Sequence, residues 1–305
     1  MVLRSHKLLL LLAAGAILCA CYERKDTAIL NPDGSGKIFI DVDIAVAPPS
    51  KNEPPDVVGT GRLFAANLIN STSGVDAWQD LAITAATDGR AHIKATAFFP
   101  DVNKLKLDVR VPIEFTWRRD ADGATFSIVR THTGLQTAAT RPTPAQVQEL
   151  VKKAQDQYKQ SQAIFQVQLA AYTQNIAFDM PGQLSDEHLL TRDGSTVSFL
   201  LDGKKVAKAV DEIMANEAAL TATYNAGTDG KANDEILMQS IFGSKGPISV
   251  HVKFPDGAKP LFNYRTEMRV AQLQETEMLK AAGVELVPKF TVKGAATATA
   301  PATRP

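Results

Sequence analysis

Asp-Gly occurs seven times in this chain, beginning at residues 33, 88, 122, 193, 202, 229 and 256. The pair suits a tight turn, because Asp bonds its own backbone two residues on and Gly takes positive φ without a Cβ clash. Several of the pairs sit between runs in which apolar and polar residues alternate, which is a strong hairpin signal. Beyond Asp33-Gly34-Ser35-Gly36, Ile38, Ile40, Val42 and Ile44 share one face and Asp41 and Asp43 the other. Beyond Asp88-Gly89, Ala91, Ile93, Ala95, Ala97 and Phe99 alternate with His92, Lys94 and Thr96. Ahead of Asp122-Gly123, Leu107, Val109, Val111, Ile113, Phe115 and Trp117 oppose Asp108, Arg110, Glu114 and Arg118. Pro112 marks an edge or bulge in that strand. Val197, Phe199 and Leu201 follow Asp193-Gly194, and Ile248, Val250, Val252 and Phe254 precede Asp256-Gly257. So many hairpins predict an antiparallel sheet with a few helices on one face: an α+β fold, not a doubly wound one.

Helical spacing is found in fewer places. Leu63, Phe64, Leu68 and Ile69 predict a helix over 60–71, with Gly74 as a stop. Pro142 and Pro144 open a long helix over about 144–173. Its stripe is Val147, Val151, Ala154, Tyr158, Ser161 and Phe165, and eight glutamines from Gln146 to Gln168 crowd its other faces. At 1.5 Å per residue this helix reaches about 45 Å, so it either lies along the sheet or projects as an arm. Val206, Val210, Ile213 and Met214 predict a helix over 204–217, and residues 218–234 are weakly patterned. Tyr264, Thr266, Met268 and Val270 alternate with Arg265, Glu267 and Arg269, which favours a strand. A short helix over 275–282 then ends at Gly283. Residues 284–292 are expected as a last strand, closing a body over 27–290. The Ala, Thr and Pro of 291–305 form a disordered tail.

The first residues set the address. Arg4, His6 and Lys7 precede an apolar run from Leu8 to Ala20. That run is too short for a bilayer core, which needs about 20 helical residues, and fits the apolar region of a secretory signal peptide over 1–20. It ends Leu18-Cys19-Ala20-Cys21, which resembles the bacterial lipobox. The resemblance implies cleavage after Ala20, a diacylglycerol thioether on Cys21 and an acylated new N-terminus. Residues 21–26 then read as a lipidated polar tether. Several acyl chains make a stable anchor, at about 0.8 kcal/mol per buried methylene. Tyr22 rather than Asp follows Cys21. The lipoprotein rule for inner-membrane retention is therefore not met, which favours the outer membrane or a periplasm-facing site in the bacterial cell envelope.

Composition excludes several classes. Arg4 and Lys7 leave with the signal, so 31 basic residues face 33 acidic ones, a net charge of about −2. Such a body has no field for nucleic acid. Both cysteines, Cys19 and Cys21, lie at the signal junction, so disulfides, thiolate metal sites and a Cys nucleophile are excluded downstream. No G-x-S-x-G, Walker-type or H-E-x-x-H motif occurs. His92, His132, His188 and His251 are far apart in sequence, and His92 and His251 share strand faces with Lys94 and Lys253, which predicts exposed side chains. Asp41 and Asp43 read as a solvated strand face, Asp120 and Asp122 as a turn, and Asn233-Asp234-Glu235 as a helix start. No catalytic residue, cofactor or metal is assigned.

A resemblance to a family rests on scattered stretches: Cys21 before the Asp33-Gly34-Ser35-Gly36 hairpin, the helix near 60–71, and Trp78. It continues through Phe98-Phe99-Pro100-Asp101-Val102-Asn103-Lys104-Leu105, Phe178-Asp179-Met180-Pro181-Gly182 and Asp193-Gly194-Ser195-Thr196-Val197-Ser198-Phe199. Over about 21–203 the chain resembles the LppM-type envelope lipoproteins. The resemblance implies an α+β body near a membrane with contact to lipid or glycolipid, and brings no catalytic motif. The long helix and residues 204–290 depart from it. The expectation is therefore a non-enzymatic module binding lipid, glycolipid or an envelope protein; the face of Phe115 and Trp117 is the place to look, although strand alternation more readily reads that face as core. The alternatives are self-association through the long helix, and a hydrolase whose site a single sequence does not reveal. The oligomeric state stays open.

Overall fold

The computed structural model describes residues 22–48, 53–107, 113–130, 143–226 and 230–285. The expected signal peptide, Cys21, His132, most of the expected last strand and the tail lie outside them, as do residues 108–112 of the strand through Pro112.

Among the described residues, eleven strands and six helices follow one another. They are β1 (Tyr22–Leu30), β2 (Gly36–Ala45), α1 (Val57–Ser71), β3 (Ala77–Ala85), β4 (Arg90–Phe99), β5 (Ile113–Arg119), β6 (Gly123–Arg130), α2 (Pro144–Ala170), β7 (Tyr172–Asp179), β8 (Gln183–His188), β9 (Thr191–Asp193), β10 (Thr196–Asp202), α3 (Gly203–Ala215), α4 (Glu217–Ala226), α5 (Gly230–Phe242), β11 (Ile248–Lys253) and α6 (Tyr264–Ala282). A seven-stranded sheet runs β3-β4-β2-β1-β7-β10-β9, and a four-stranded sheet runs β5-β6-β11-β8. The class is α+β, as expected. The smaller sheet is antiparallel, but the larger is mixed, because β1 and β7 pair in parallel. A parallel neighbour needs a crossover, and the stretch that includes α2 supplies it.

Four Asp-Gly pairs make the expected turns: 33–34, 88–89, 122–123 and 193–194 join consecutive antiparallel strands. Asp202-Gly203 does not. Asp202 caps α3 by accepting from the Lys204 N–H at 2.8 Å, since Asp serves an N-cap as well as a turn. Gly203 is needed for close approach: a Cβ there would lie 1.7 Å from the Leu169 carbonyl oxygen.

The largest correction concerns residues 22–26. They are no tether but the first half of β1, hydrogen-bonded between β2 and β7 near the middle of the sheet. Tyr22, Arg24, Asp26, Ala28 and Leu30 point into the core, and Glu23, Lys25 and Thr27 point away. A second correction is Tyr264–Val270, which begins α6. Seven alternating residues fit either period, but Met268, Ala271, Met278 and Leu279 continue at helical spacing, and Asn263 caps the start. Gly283 ends α6 in the left-handed conformation. The weakly patterned 218–234 stretch falls largely in α4 and α5, so Asn233-Asp234-Glu235 lies inside a helix rather than at its start. Val284 and Glu285 carry no strand.

One core joins both sheets. Phe178 of β7 lies 4.5 Å from Phe126 and 5.3 Å from Phe115, ring centre to ring centre. Trp117 donates its indole N–H to the Pro32 carbonyl at 3.3 Å beneath the β1–β2 turn. Phe115 and Trp117 are therefore core, not a binding face. α1 covers Ala91 and Ile93 with Ala65, Leu68 and Ile69. α6 contradicts a single helical face. It packs Ala271 on Phe98, which points away from neighbouring Phe99 and the main core. It also shields the free edge of β3: Glu275 accepts from the Trp78 N–H at 3.1 Å and Met278 sulfur from the Leu81 N–H at 3.2 Å. An edge covered in this way cannot recruit a further strand.

α2 packs rather than projects. Thr143 and Gln146 form a capping box at its start, and Val147, Val151, Ala154 and Phe165 are buried. Its glutamines have a specific task. Gln162 and Gln166 donate to Asp211 of α3 at 2.8 and 2.6 Å, and the Tyr158 hydroxyl joins them at 2.5 Å. Gln155 donates to the Met214 carbonyl at 2.9 Å.

Candidate functional site

The end of the sheet beside Cys21 is the first candidate. The Tyr22 N–H donates to the Ala171 carbonyl at 3.0 Å. Its ring stacks on Tyr172 at 5.3 Å and tilts against Phe64 of α1 at 6.2 Å. β1 is thus fastened from its first residue, and Cys21 is one Cα step, about 3.8 Å, away. Around this fastening the surface is apolar in an unexpected way. Leu63, read from its spacing as a core residue, is 70 % exposed on α1; Ile164 and Val167 are 65 % and 70 % exposed near the end of α2. No charged residue occurs between Gln160 and Tyr172. Lys204 and Lys205 stand exposed where α3 begins, next to Leu169.

Behind Tyr22 lies a buried ion pair. The Arg24 Nε donates to both carboxylate oxygens of Asp26, at 2.9 and 2.7 Å, and both side chains are 0 % exposed. Residues two apart on a strand share a face, so the chain placed both in the core. Burial pushes the Asp26 carboxyl up to about 6, against the opposing pull of Arg24. The guanidinium loses solvation too, but Asp26 and Tyr22 more than offset that, and Arg24 stays charged.

The opposite face of the same strands carries a ladder of charges. His92 Nδ1 lies 2.7 Å from Asp43 and 3.6 Å from Asp41. Lys94 reaches Asp41 at 3.5 Å, and Arg90 reaches Glu23 at 3.5 Å and Asp88 at 2.6 Å. The register Glu23–Asp43–His92 across β1, β2 and β4 produces this matching of signs. Asp41 and Asp43 do lie on the outward face, but His92 is half-buried against them rather than freely exposed. The lowered pKa values fit local pairing: the Lys25 and Arg90 contacts hold Glu23 below the usual carboxylate range, and Arg90 does the same for Asp88.

The remaining histidines assemble two smaller groups. His251 Nε2 lies 3.3 Å from Asp120 and 3.8 Å from Asp122, and its Nδ1 lies 3.4 Å from the Ser185 hydroxyl. These residues are distant in sequence; antiparallel pairing of β11 with β6 and β8 brings them together. Asp120, Asp122 and His251 offer three metal-ligand atoms within 4.8 Å of one another. The two carboxylates sit on the exposed β5–β6 turn and His251 on β11, and the contacts of the carboxylates with the imidazole already account for the cluster. Burial would raise the Asp120 carboxyl, but the hydrogen bond from the Asp122 backbone and the His251 charge outweigh it and lower it. The order Ser185–His251–Asp120 has the residue types of an acyl-transfer triad. The geometry lacks the rest: the 3.4 Å contact is long, and an open groove among the described residues lies elsewhere, on α4. His188 likewise contacts Ser244 at 3.1 Å and the Pro247 carbonyl.

That groove, of about 540 Å³, is open and lined by Glu217, Ala218, Thr221, Ala222 and Asn225 of α4. No helix among the described residues is long and apolar enough to cross a membrane. No protein family, curated protein or solved structure matches this chain.

Proposed function

We propose that this protein is a lipid-anchored component of the bacterial cell envelope that acts without catalysis, as a surface-binding module for lipid, glycolipid or another envelope protein. The observation that carries this reading is the junction at Cys21. A lipobox-like tetrapeptide runs directly into a strand held in the middle of the sheet, so the lipid and the folded body are adjacent. The turn and strand signatures shared with the LppM-type lipoproteins support the same address. The tight core around Phe115, Trp117, Phe126 and Phe178 gives no support to a deep lipid cavity at that face, so binding is assigned to the surface. α2 is docked along α3, which takes support from the reading in which it projects to self-associate.

The test is expression of the full chain in a bacterial host. Intact mass should correspond to a chain starting at Cys21 plus diacylglycerol and an acyl group, and Cys21→Ser should release the protein from washed membranes. A wild-type chain of unmodified mass, recovered in the soluble fraction, would remove the reading.

A further inference from the structure

We infer that the body docks on the bilayer surface through the exposed apolar residues Leu63, Ile164 and Val167, flanked by Lys204 and Lys205; this rests on the lipid-anchor reading of Cys21. Three observations converge. β1 is fastened at Tyr22 by Ala171, Tyr172 and Phe64, so no slack chain separates an acylated Cys21 from the folded surface. The anchor therefore holds this end of the protein at the membrane instead of letting it diffuse on a leash. Leu63 is the chain neighbour of Phe64. Val167 and Ile164 lie four and seven residues before Ala171, about 6 and 10 Å along the helix. A headgroup region is about 5–8 Å deep on each side of the hydrocarbon, and interfacial helices sink by about 5–10 Å. Side chains this close to the anchor meet that layer.

The chemistry of the patch fits a lipid surface. Its apolar side chains are mostly exposed, and the last three turns of α2 bear no charge that would have to be dehydrated. Lys204 and Lys205 supply positive charge at its border, suited to anionic headgroups. Asp202, the nearest acid in sequence, is engaged as the cap of α3. Placed in sequence alone, Leu63 reads as core and Ile164 and Val167 fall on a glutamine-rich helix; only the fold brings Phe64, next to Leu63, and Ala171, one turn after Val167, against Tyr22.

The experiment uses the full chain, purified with its native processing and reconstituted into vesicles of phosphatidylethanolamine and phosphatidylglycerol with brominated acyl chains. Single variants Leu63→Cys, Val167→Cys and Leu261→Cys are labelled with an environment-sensitive dye; Cys19 leaves with the signal and Cys21 is acylated. Leu261 is the control, half-exposed and held by Asn31 at the far end of β1. Labels at 63 and 167 should shift to the blue and be quenched several-fold more than the label at 261. Equal, water-like emission at all three sites, in protein whose mass shows acylated Cys21, would overturn the docking face and leave the anchor reading standing. A mass without lipid would overturn both. Blue-shifted labels in detergent with a doubled particle mass would overturn the lipid surface in favour of a second copy of the chain.

Discussion

The buried Arg24–Asp26 pair makes a sharp prediction about stability. Removing one partner strands a charge in the core: Asp26→Asn leaves the Arg24 guanidinium without a counter-charge at a site where both side chains are 0 % exposed. Two charge-assisted hydrogen bonds are lost or weakened, each contributing about 1.5–3 kcal/mol. Breaking buried pairs costs about 3–5 kcal/mol. Against a total stability of about 5–15 kcal/mol, that is about a fifth or more. With a urea dependence of about 3 kcal/mol/M, the unfolding midpoint should fall by about 1–1.7 M. Replacing both groups by apolar ones of similar volume, Arg24→Met with Asp26→Leu, removes the desolvation cost along with the attraction. This double variant should match the wild type or exceed it by about 1–4 kcal/mol. Urea titrations of the wild type, Arg24→Met, Asp26→Leu and the double variant close a double-mutant cycle. If the double variant falls by the sum of Arg24→Met and Asp26→Leu, the coupling is zero and the reasoning from desolvation is refuted.

The same pair sets a pH dependence. Because Asp26 titrates near 6 in the fold and near 3.9 when unfolded, the native state holds a proton that the unfolded state gives up between pH 4 and 6. Its contribution therefore falls as pH rises through that window, by about 3 kcal/mol, and is flat above it; the wild type minus the double variant, followed by urea unfolding across pH, should show that slope. Burial first, and then the bond to Asp211, push the Tyr158 phenol up to about 12. Its ultraviolet titration should move down toward 10 in Asp211→Asn, and hydrogen exchange along α2 should quicken in that variant as three bonds are weakened. Trp117→Ala should cost about 3–5 kcal/mol by thermal or urea unfolding, because the ring is core, while leaving membrane attachment unchanged. Gly203→Ala should cost about 3 kcal/mol or more, since the new methyl meets the backbone oxygens of Leu169 and Tyr172 rather than yielding side chains.

The sequence by itself determined the hairpins and the core faces of the strands they join. Asp-Gly at 33, 88, 122 and 193 restricts the turn locally, and alternation of apolar and polar residues assigns each face with no reference to distant chain. It determined that 144–170 is helical, through Pro144, the capping residues and the spacing of Val147, Val151, Ala154 and Phe165. It also carried the lipobox-like Cys21. Tertiary structure decided what no local pattern encodes. Tyr22-Glu-Arg-Lys-Asp26 reads as solvated because four of its five residues are charged next to an expected anchor, yet partners β2 and β7 arrive from elsewhere and bury every second residue. Residues 264–270 satisfy two periods at once, and only packing on Phe98 and the edge of β3 chooses the helix. Leu63 has core spacing and faces out, because α1 turns Gly61, Ala65 and Leu68 to the sheet. His251 meets Asp120, Asp122 and Ser185 across three strands far apart in sequence, which strand register alone brings about. Local signals fix conformations that neighbours in sequence enforce; which faces become interior, and which residues meet, depends on contacts between segments that no window of the sequence contains.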